Sequence, residues 1–286
     1  MVLIMTGYRS KIHSPLEAVP DKYRTDVVSP LEASPIKYRS REHSAGELIY
    51  TPPNIISLYC WFKFNEGAGL TIIDYSPIAI NGVLQLIMPT DDPTIKFWST
   101  PGFGHNDTAI PTTWAKSYGR PVIPTRYLSM VGFIKPLGPF WISGAAMWHG
   151  IGGSSNWLKL YWRPNPVINY WTVGCGITDP NNTISITPVI YGTWVFAYVL
   201  SDVVDNFTKL YLRFSGEPLT LILSKAHYTI WEGPQSAVAA FGGDNMNTTM
   251  DGGDMLWWGG ATDTGVVTIA QVNEVYEALK GRYGMT

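Results

Sequence analysis

The sequence lacks most of the features that would place it in a specialised class of protein. Only two cysteines occur in 286 residues, too few for a disulfide framework or a zinc site. We expect Cys60 and Cys175 to be buried thiols, although a single bridge between them stays open. No run approaches the roughly 18 apolar residues of a membrane span, and the apolar N-terminal stretch is too short for a signal-peptide core. We therefore expect a protein made in the cytoplasm without a signal peptide.

Basic charge and catalytic motifs are lacking as well. The formal net charge is −2, whereas nucleic acids and anionic membranes require a basic surface, so neither is expected as a partner. The five histidines are scattered without metal-ligand spacing. The chain contains no Gly-x-Ser-x-Gly elbow, and no phosphate-cradling glycine loop precedes a helical pattern. These absences predict a protein that is not an enzyme and needs no cofactor.

Charge is distributed unevenly along the chain, and this predicts two parts. Residues 1–50 hold 13 of the 42 charged side chains, which leaves 29 for the other 236 residues. The first part is dense in charge and broken by prolines, so it cannot bury enough surface to offset its ordering entropy. We therefore predict an extended N-terminal arm over 1–50 and a folded domain over 51–286.

The arm contains a fifteen-residue phrase three times, beginning at Tyr8, Tyr23 and Tyr38, and the first two copies share nine of fifteen residues. With a period of fifteen residues, equivalent side chains would not lie on the same side of a helix, and they would not lie on the same side of a strand. We expect an extended arm that docks on repeated sites, where three weak contacts gain from effective concentration. A small solenoid or an inert linker stays open. The predicted docking residues are Tyr8, Arg9, Leu16, Tyr23, Arg24, Leu31, Tyr38 and Arg39.

The rest of the chain has the pattern of an all-β protein. "SLYCWFKF" alternates like a half-buried strand with Leu58, Cys60 and Phe62 on one face, and further short runs are separated by turn residues. "TKLYLRFSGEPLTLILSK" predicts a hairpin with Ser215 and Gly216 at its turn. The one helix predicted lies in "TIAQVNEVYEALKGRYG", where Thr268 and Gln271 fit a capping box. Its predicted apolar stripe is Ile269, Val272, Val275, Tyr276 and Leu279.

Three stretches resemble the laminin-G-like jelly rolls of the concanavalin A-like lectin/glucanase superfamily. They are "LYCWFKFNEGAGLTIIDYSPIAINGVLQ", "YGTWVFAYVLSDVVDNFTKLYLRFSGEPL" and the glycine-rich closing segment that ends in the helix. The resemblance covers roughly residues 54–280, and Ser215 stands where relatives often have Asn before the turn glycine. It implies an antiparallel jelly-roll sandwich with one short C-terminal helix.

The resemblance also implies relatives that hydrolyse glucans, bind carbohydrate or bind calcium. Hydrolysis needs two carboxylates on one strand, and no such signature occurs in this chain. Sugar binding would use exposed aromatic rings, with Trp148, Trp157, Trp162, Trp171, Trp257 and Trp258 as candidates. A structural Ca²⁺ would use loop oxygens, with Asp74, Asn81, Asp244, Asp251 and Asp254 as candidates, although solvated loop acids are the simpler interpretation.

These observations predict a non-enzymatic structural or binding component of a large symmetric assembly. The domain carries little charge, which suits permanent contact with neighbouring copies and with other structural proteins. We expect a virion of phage-like type, with the domain as a capsid decoration or tail-fibre-associated module tethered by the arm, and with assembly in the host cytoplasm. The alternative is a lectin-like, carbohydrate-binding adhesion module.

Overall fold

The computed structural model describes one of two units of the chain. The units are Met1–Leu48 and Ile49–Thr286, and every described residue lies in the second. The described residues are 50–85, 103–106, 114–120, 127–138, 147–151, 157–165, 168–175, 183–202, 207–226, 237–241, 250–260 and 267–286. The arm boundary predicted at residue 50 therefore stays a prediction.

The described strands form two sheets in which all neighbouring strands are antiparallel. The first contains, in spatial order, β1 (Leu58–Phe62), β15 (Met250–Gly260), β6 (Tyr127–Pro136), β11 (Val195–Asp202), β12 (Phe207–Arg213) and β13 (Thr220–Ala226), with β4 (Gly104–Asn106) also paired to β15. The second contains β10 (Thr183–Pro188), β9 (Ile168–Cys175), β8 (Trp157–Asn165), β7 (Met147–Ile151), β14 (Ala237–Phe241), β5 (Trp114–Arg120), β3 (Gly82–Gln85) and β2 (Thr71–Ile72).

The two sheets enclose one apolar core. Met130 and Met255 of the first sheet and Leu160 of the second belong to the same buried cluster. Packed antiparallel sheets around a shared core are the architecture of a β-sandwich. The predicted all-β jelly-roll sandwich is confirmed. Within the described ranges, no helix has the length and apolar character needed to cross a membrane.

A second apolar layer covers the outer face of the first sheet. It is built by the C-terminal segment, which we define as helix α1 (Ile269–Leu279) with the 3-10 helix Lys280–Tyr283 that follows it. All five residues of β1 are consequently buried, so the predicted half-buried strand is wrong. A register shift between Leu58 and Cys60 also places these residues in different apolar layers, which the alternating pattern did not anticipate.

The local predictions for the helix and the hairpin agree with the structure. Thr268 caps α1, and the reciprocal bond from Gln271 completes the predicted capping box. Ile269 departs from the predicted stripe because it is 40% exposed at the first turn of the helix. In the hairpin, Gly216 has a φ of 77°, a left-handed conformation that suits glycine.

Candidate functional site

The tryptophans predicted as sugar platforms do not form an exposed surface where the structure describes their side chains. Trp162, Trp171, Trp257 and Trp258 are all 0% exposed. They pack in the two apolar layers, and a ring without an accessible face cannot stack on a sugar. This corrects the prediction for these four residues. Trp148 and Trp157 lie in β7 and β8, and their side chains are outside the described part of the molecule.

Asp74 organises the loop between β2 and β3. Its Oδ1 accepts hydrogen bonds from the backbone N–H groups of Trp61 and Ser76, each at 2.9 Å. Its Oδ2 accepts from the Ser76 hydroxyl at 2.9 Å and from the Ile80 N–H at 3.1 Å. The Asp74 N–H in turn donates to Oδ1 of Asn81 at 3.0 Å. Asp74 and Asn81, which the sequence offered as calcium ligands, therefore make hydrogen bonds that fix the loop.

The acids of β15 are engaged by basic side chains. Oδ2 of Asp251 lies 2.8 Å from Nζ of Lys135, and the fully buried Asp254 is paired with Arg282. Asp244 lies outside the described residues. Across the described ranges, no group of three or more His, Cys, Asp or Glu side chains could hold a metal ion. Calcium binding stays a prediction.

The C-terminal segment is fixed on the sheet by polar and aromatic contacts. The Tyr198 hydroxyl on β11 donates to the Val267 carbonyl at 2.8 Å, just before α1. Arg213 on β12 places its guanidinium 3.7 Å from the ring centre of Tyr276 on α1, and it donates to Glu277 at 2.9 Å. These contacts hold the C-terminal segment on β11 and on the end of β12 that contains Arg213.

One row of side chains runs across the outer face, from strands whose residues are buried to strands whose residues are partly exposed. From one sheet edge to the other, the residues in register are Trp61, Leu256, Val131, Tyr198, Tyr211 and Leu221. The first four are at most 3% exposed, Tyr211 is half-buried, and Leu221 is 47% exposed. Exposure therefore rises along the row toward β12 and β13, although Tyr211 still packs against the apolar layer that the C-terminal segment completes.

We name the more exposed area at this end of the row the outer strip. It consists of side chains on the outer faces of β11, β12 and β13, all of them half-buried or exposed: Leu200, Phe207, Lys209, Tyr211, Leu221 and Ser224. Neighbouring strands place Leu200, Lys209 and Ser224 in a second row beside that of Tyr211. The strip therefore combines an aromatic ring, a cation and a hydroxyl on a paired β-sheet.

Tyr211 is the aromatic centre of the outer strip. Its ring stacks on that of Tyr198, with centroids 5.4 Å apart and planes at 24°. A tyrosine hydroxyl is protonated at neutral pH, and partial burial raises the pKa of Tyr211 further above its ordinary value. That hydroxyl makes no hydrogen bond to any residue of the described ranges. The ring is thus held from one side while its polar end stays available to a ligand.

Lys209 is the cation of the outer strip. Its ammonium lies 4.6 Å from the centre of the Phe207 ring, a cation–π contact that limits the freedom of the side chain. Two residues along one strand span about 7 Å, so Lys209 and Tyr211 are neighbours on the same face. An arrangement of this kind can bind a ligand that offers an apolar face and polar substituents together.

Sequence reasoning did not single out the outer strip. The alternation in "FTKLYLR" predicts which side chains of β12 share a face. It does not tell which face is open, because that depends on where the distant C-terminal segment packs. Tyr211 was also not a candidate because only tryptophans were considered as sugar platforms.

Comparisons with known proteins identify the fold and nothing more specific. The chain matches no model of a known protein family, and no curated protein matches its sequence. The sialidase of Trypanosoma rangeli is similar in structure with a TM-score of 0.52 at 9% identity, over 79% of this chain and 33% of the sialidase. The binding domain of botulinum neurotoxin serotype D/C has a TM-score of 0.50 at 10% identity, over 79% of this chain and 53% of the other.

Lectin II from Ulex europaeus is a weaker match, with a TM-score of 0.39 at 9% identity over 56% of this chain and 87% of the lectin. The chain spans about one third of the length of the sialidase and about half that of the neurotoxin structure. At such identities, the likeness to the sialidase and the neurotoxin structure shows a shared fold alone. A shared fold does not transfer an activity.

Proposed function

We propose that this protein is a non-enzymatic, lectin-like binding module that holds carbohydrate on the outer strip. The observation that carries this proposal is the half-buried Tyr211 ring, which stacks on Tyr198 and lies beside the exposed Leu221. A sugar presents an apolar face of C–H groups and a rim of hydroxyls. The Tyr211 ring offers a partner for the first, and the hydroxyls of Tyr211 and Ser224 offer partners for the second.

The rigidity of the platform supports the same proposal. Tyr211 lies on β12, which is paired along its length with β11 and β13. A ring fixed by its neighbours loses little conformational freedom when a ligand binds, which favours affinity. A module of the laminin-G-like type is the finer assignment we propose, supported by the order of Asp74, Asn81 and the turn glycine Gly216 along the chain.

We propose a binding role without catalysis because three of the buried acids serve structural contacts. Asp74 accepts three hydrogen bonds from its loop and one from Trp61 of β1, and Asp251 and Asp254 are paired with Lys135 and Arg282. A glycosidase needs one carboxyl group that is protonated and another that is free to act as nucleophile or base. Carboxylates held in ion pairs suit neither task.

The test is a saccharide array probed with the full chain and with two variants. Tyr211→Ala is expected to weaken the binding of the recognised saccharide by about 2 kcal/mol or more, because it removes the central aromatic contact. Tyr191→Ala is the matched control, since Tyr191 is 41% exposed on a loop away from the strip. Circular dichroism confirms that both variants are folded. Equal binding by all three proteins, or by none, would overturn the proposal.

A second candidate function is favoured by the repeat in the N-terminal arm. Units of fifteen residues with nine identities suit attachment to a partner that itself repeats, such as a virion shell or fibre of phage-like type. In this proposal the sandwich is displayed as a homo-oligomeric decoration, and the arm tethers it to other structural proteins. The two functions are compatible, since a tethered module can bind carbohydrate.

Deletion of residues 1–50 tests the tether. We expect the shortened chain to be lost from the assembly, measured as copies per particle. The length control is a full-length chain in which the order of residues within the three repeat units is scrambled. Unchanged occupancy of the shortened chain would refute a docking arm.

A further inference from the structure

We propose that the saccharide held by the outer strip is acidic, with its carboxylate or sulfate group paired to Lys209. This inference rests on the proposed function, and it names the class of ligand for the same site. Lys209 lies on the same face of β12 as Tyr211, about 7 Å away along the strand. A sugar ring on Tyr211 can therefore place an exocyclic anion within reach of the ammonium.

The charge of Lys209 is not matched inside the described part of the chain. Its contact there is the Phe207 ring, and none of the ion pairs formed by the described residues includes Lys209. Arg213, the other cation on this face of β12, differs in this respect because it is bound to Glu277 and Asn273. Of the two, Lys209 is the one that can pair with a ligand.

The nearest acidic side chain in the sheet, that of Asp202, lies on the same face as Lys209. Asp202 pairs in register with Phe207 at the end of β11, and it is 1% exposed. Glu217 belongs to the turn between β12 and β13, beyond Arg213. Because Asp202 is buried and Lys209 is half-buried, Lys209 is the charge of this pair that a ligand can reach, and an anionic ligand can pair with it where a neutral one cannot.

The phenyl ring of Phe207 favours anion binding by Lys209. A cation held over a ring is partly oriented before the ligand arrives, so less side-chain entropy is lost on pairing. On the other side of the strip, Ser224 faces Lys209 in register and offers a hydroxyl donor to the same anion.

The test compares matched acidic and neutral saccharides on the full chain, with a galacturonic acid trimer, a sulfated galactose trimer and a galactose trimer as probes. We expect each acidic trimer to bind at least threefold more tightly than the neutral one. Lys209→Gln is expected to weaken the acidic trimers about three- to fivefold, the range of one partly exposed ion pair, and to leave the neutral trimer unchanged. Lys225→Gln, at an exposed lysine of the edge strand β13, is the matched control and should change neither.

The outcomes separate this inference from the function on which it rests. Binding of the neutral trimer as tightly as the acidic ones, lost in Tyr211→Ala and unchanged in Lys209→Gln, would overturn the acidic ligand and keep the carbohydrate module. Absence of binding by all three trimers and by the saccharide array would overturn both. A preference for acidic trimers that survives in Lys209→Gln would also contradict the pairing.

Discussion

The indole N–H of Trp61 on β1 donates a 2.9 Å hydrogen bond to Oδ1 of Asp254 on β15, 193 residues further along the chain. The other carboxylate oxygen of Asp254 accepts from Arg282 and from the Tyr283 hydroxyl. One buried carboxylate therefore joins a strand of the first sheet to the C-terminal segment that covers it. The position of this cover decides which part of the outer face stays open.

Asp254→Asn is expected to destabilise the fold by about 3 kcal/mol, because it removes a buried charge from a hydrogen-bonded ion pair. Urea unfolding measures the loss. Glu277→Gln is the control, since Glu277 is half-exposed and its pairs with Arg213 and Lys280 should contribute less than about 1 kcal/mol. Similar losses in the two variants would contradict the role assigned to Asp254.

Gly253→Ala should loosen the C-terminal segment. A Cβ at this position would overlap the ring of Tyr283, which stacks on Phe133 with centroids 4.2 Å apart. We expect a loss of about 1–3 kcal/mol, typical of overpacking, together with faster amide exchange in α1. Gly281→Ala is the matched control because a Cβ there meets no atom within 4 Å. Unchanged exchange in α1 would show that Gly253 does not hold the ring in place.

Asp74→Asn is expected to lower stability by about 2–3 kcal/mol, since a neutral amide cannot accept all four hydrogen bonds of the loop. Thermal unfolding in about 1 mM Ca²⁺, the range in which extracellular calcium modules bind, and in EDTA distinguishes a loop organiser from a metal ligand. A loop organiser gives the same loss in both buffers. A loss confined to the calcium buffer would support the calcium ligand predicted from the sequence.

Stability is expected to fall as the pH rises above about 10, where unfolded tyrosine ionises. Burial raises the pKa of Tyr198, and burial with the charges of Glu274 and Asp254 raises that of Tyr50. Burial and then the charge of Asp254 raise the pKa of Tyr283 as well. The unfolded chain therefore loses protons before the folded chain does, and the free energy of unfolding decreases with pH in this window.

Urea midpoints between pH 8 and pH 11 measure this effect, with Tyr198→Phe as the comparison. Removal of one buried phenol should reduce the slope by up to about 1.4 kcal/mol per pH unit, the value for one proton. Equal slopes in the variant and the parent chain would mean that Tyr198 ionises alike in the folded and unfolded states.

Local features of the fold were predictable from the sequence, whereas the site was not. The capping box of Thr268 and Gln271 and the turn at Gly216 depend on neighbours in the chain, so short patterns were sufficient. The burial of Trp257 and Trp258 depends on two different layers, the sandwich core and the C-terminal segment. Alternation along one strand cannot predict that both faces are covered.

The partial exposure of Tyr211 could not be predicted from alternation either. Its neighbour in register, Tyr198, is 1% exposed, although the two tyrosines lie in similar alternating strands. Tyr198 is a buried member of the layer that the C-terminal segment completes and donates to the Val267 carbonyl, whereas Tyr211 packs against that layer as a partly buried residue. Only the tertiary structure distinguishes the two rings.

The most direct measurement follows the ring signals of Tyr211 by NMR while the best-bound array saccharide is titrated into the full chain. The ring protons of Tyr211 are expected to shift progressively, whereas those of the buried Tyr283 stay in place. Saccharide binding without any change at Tyr211 would contradict the outer strip as the carbohydrate site.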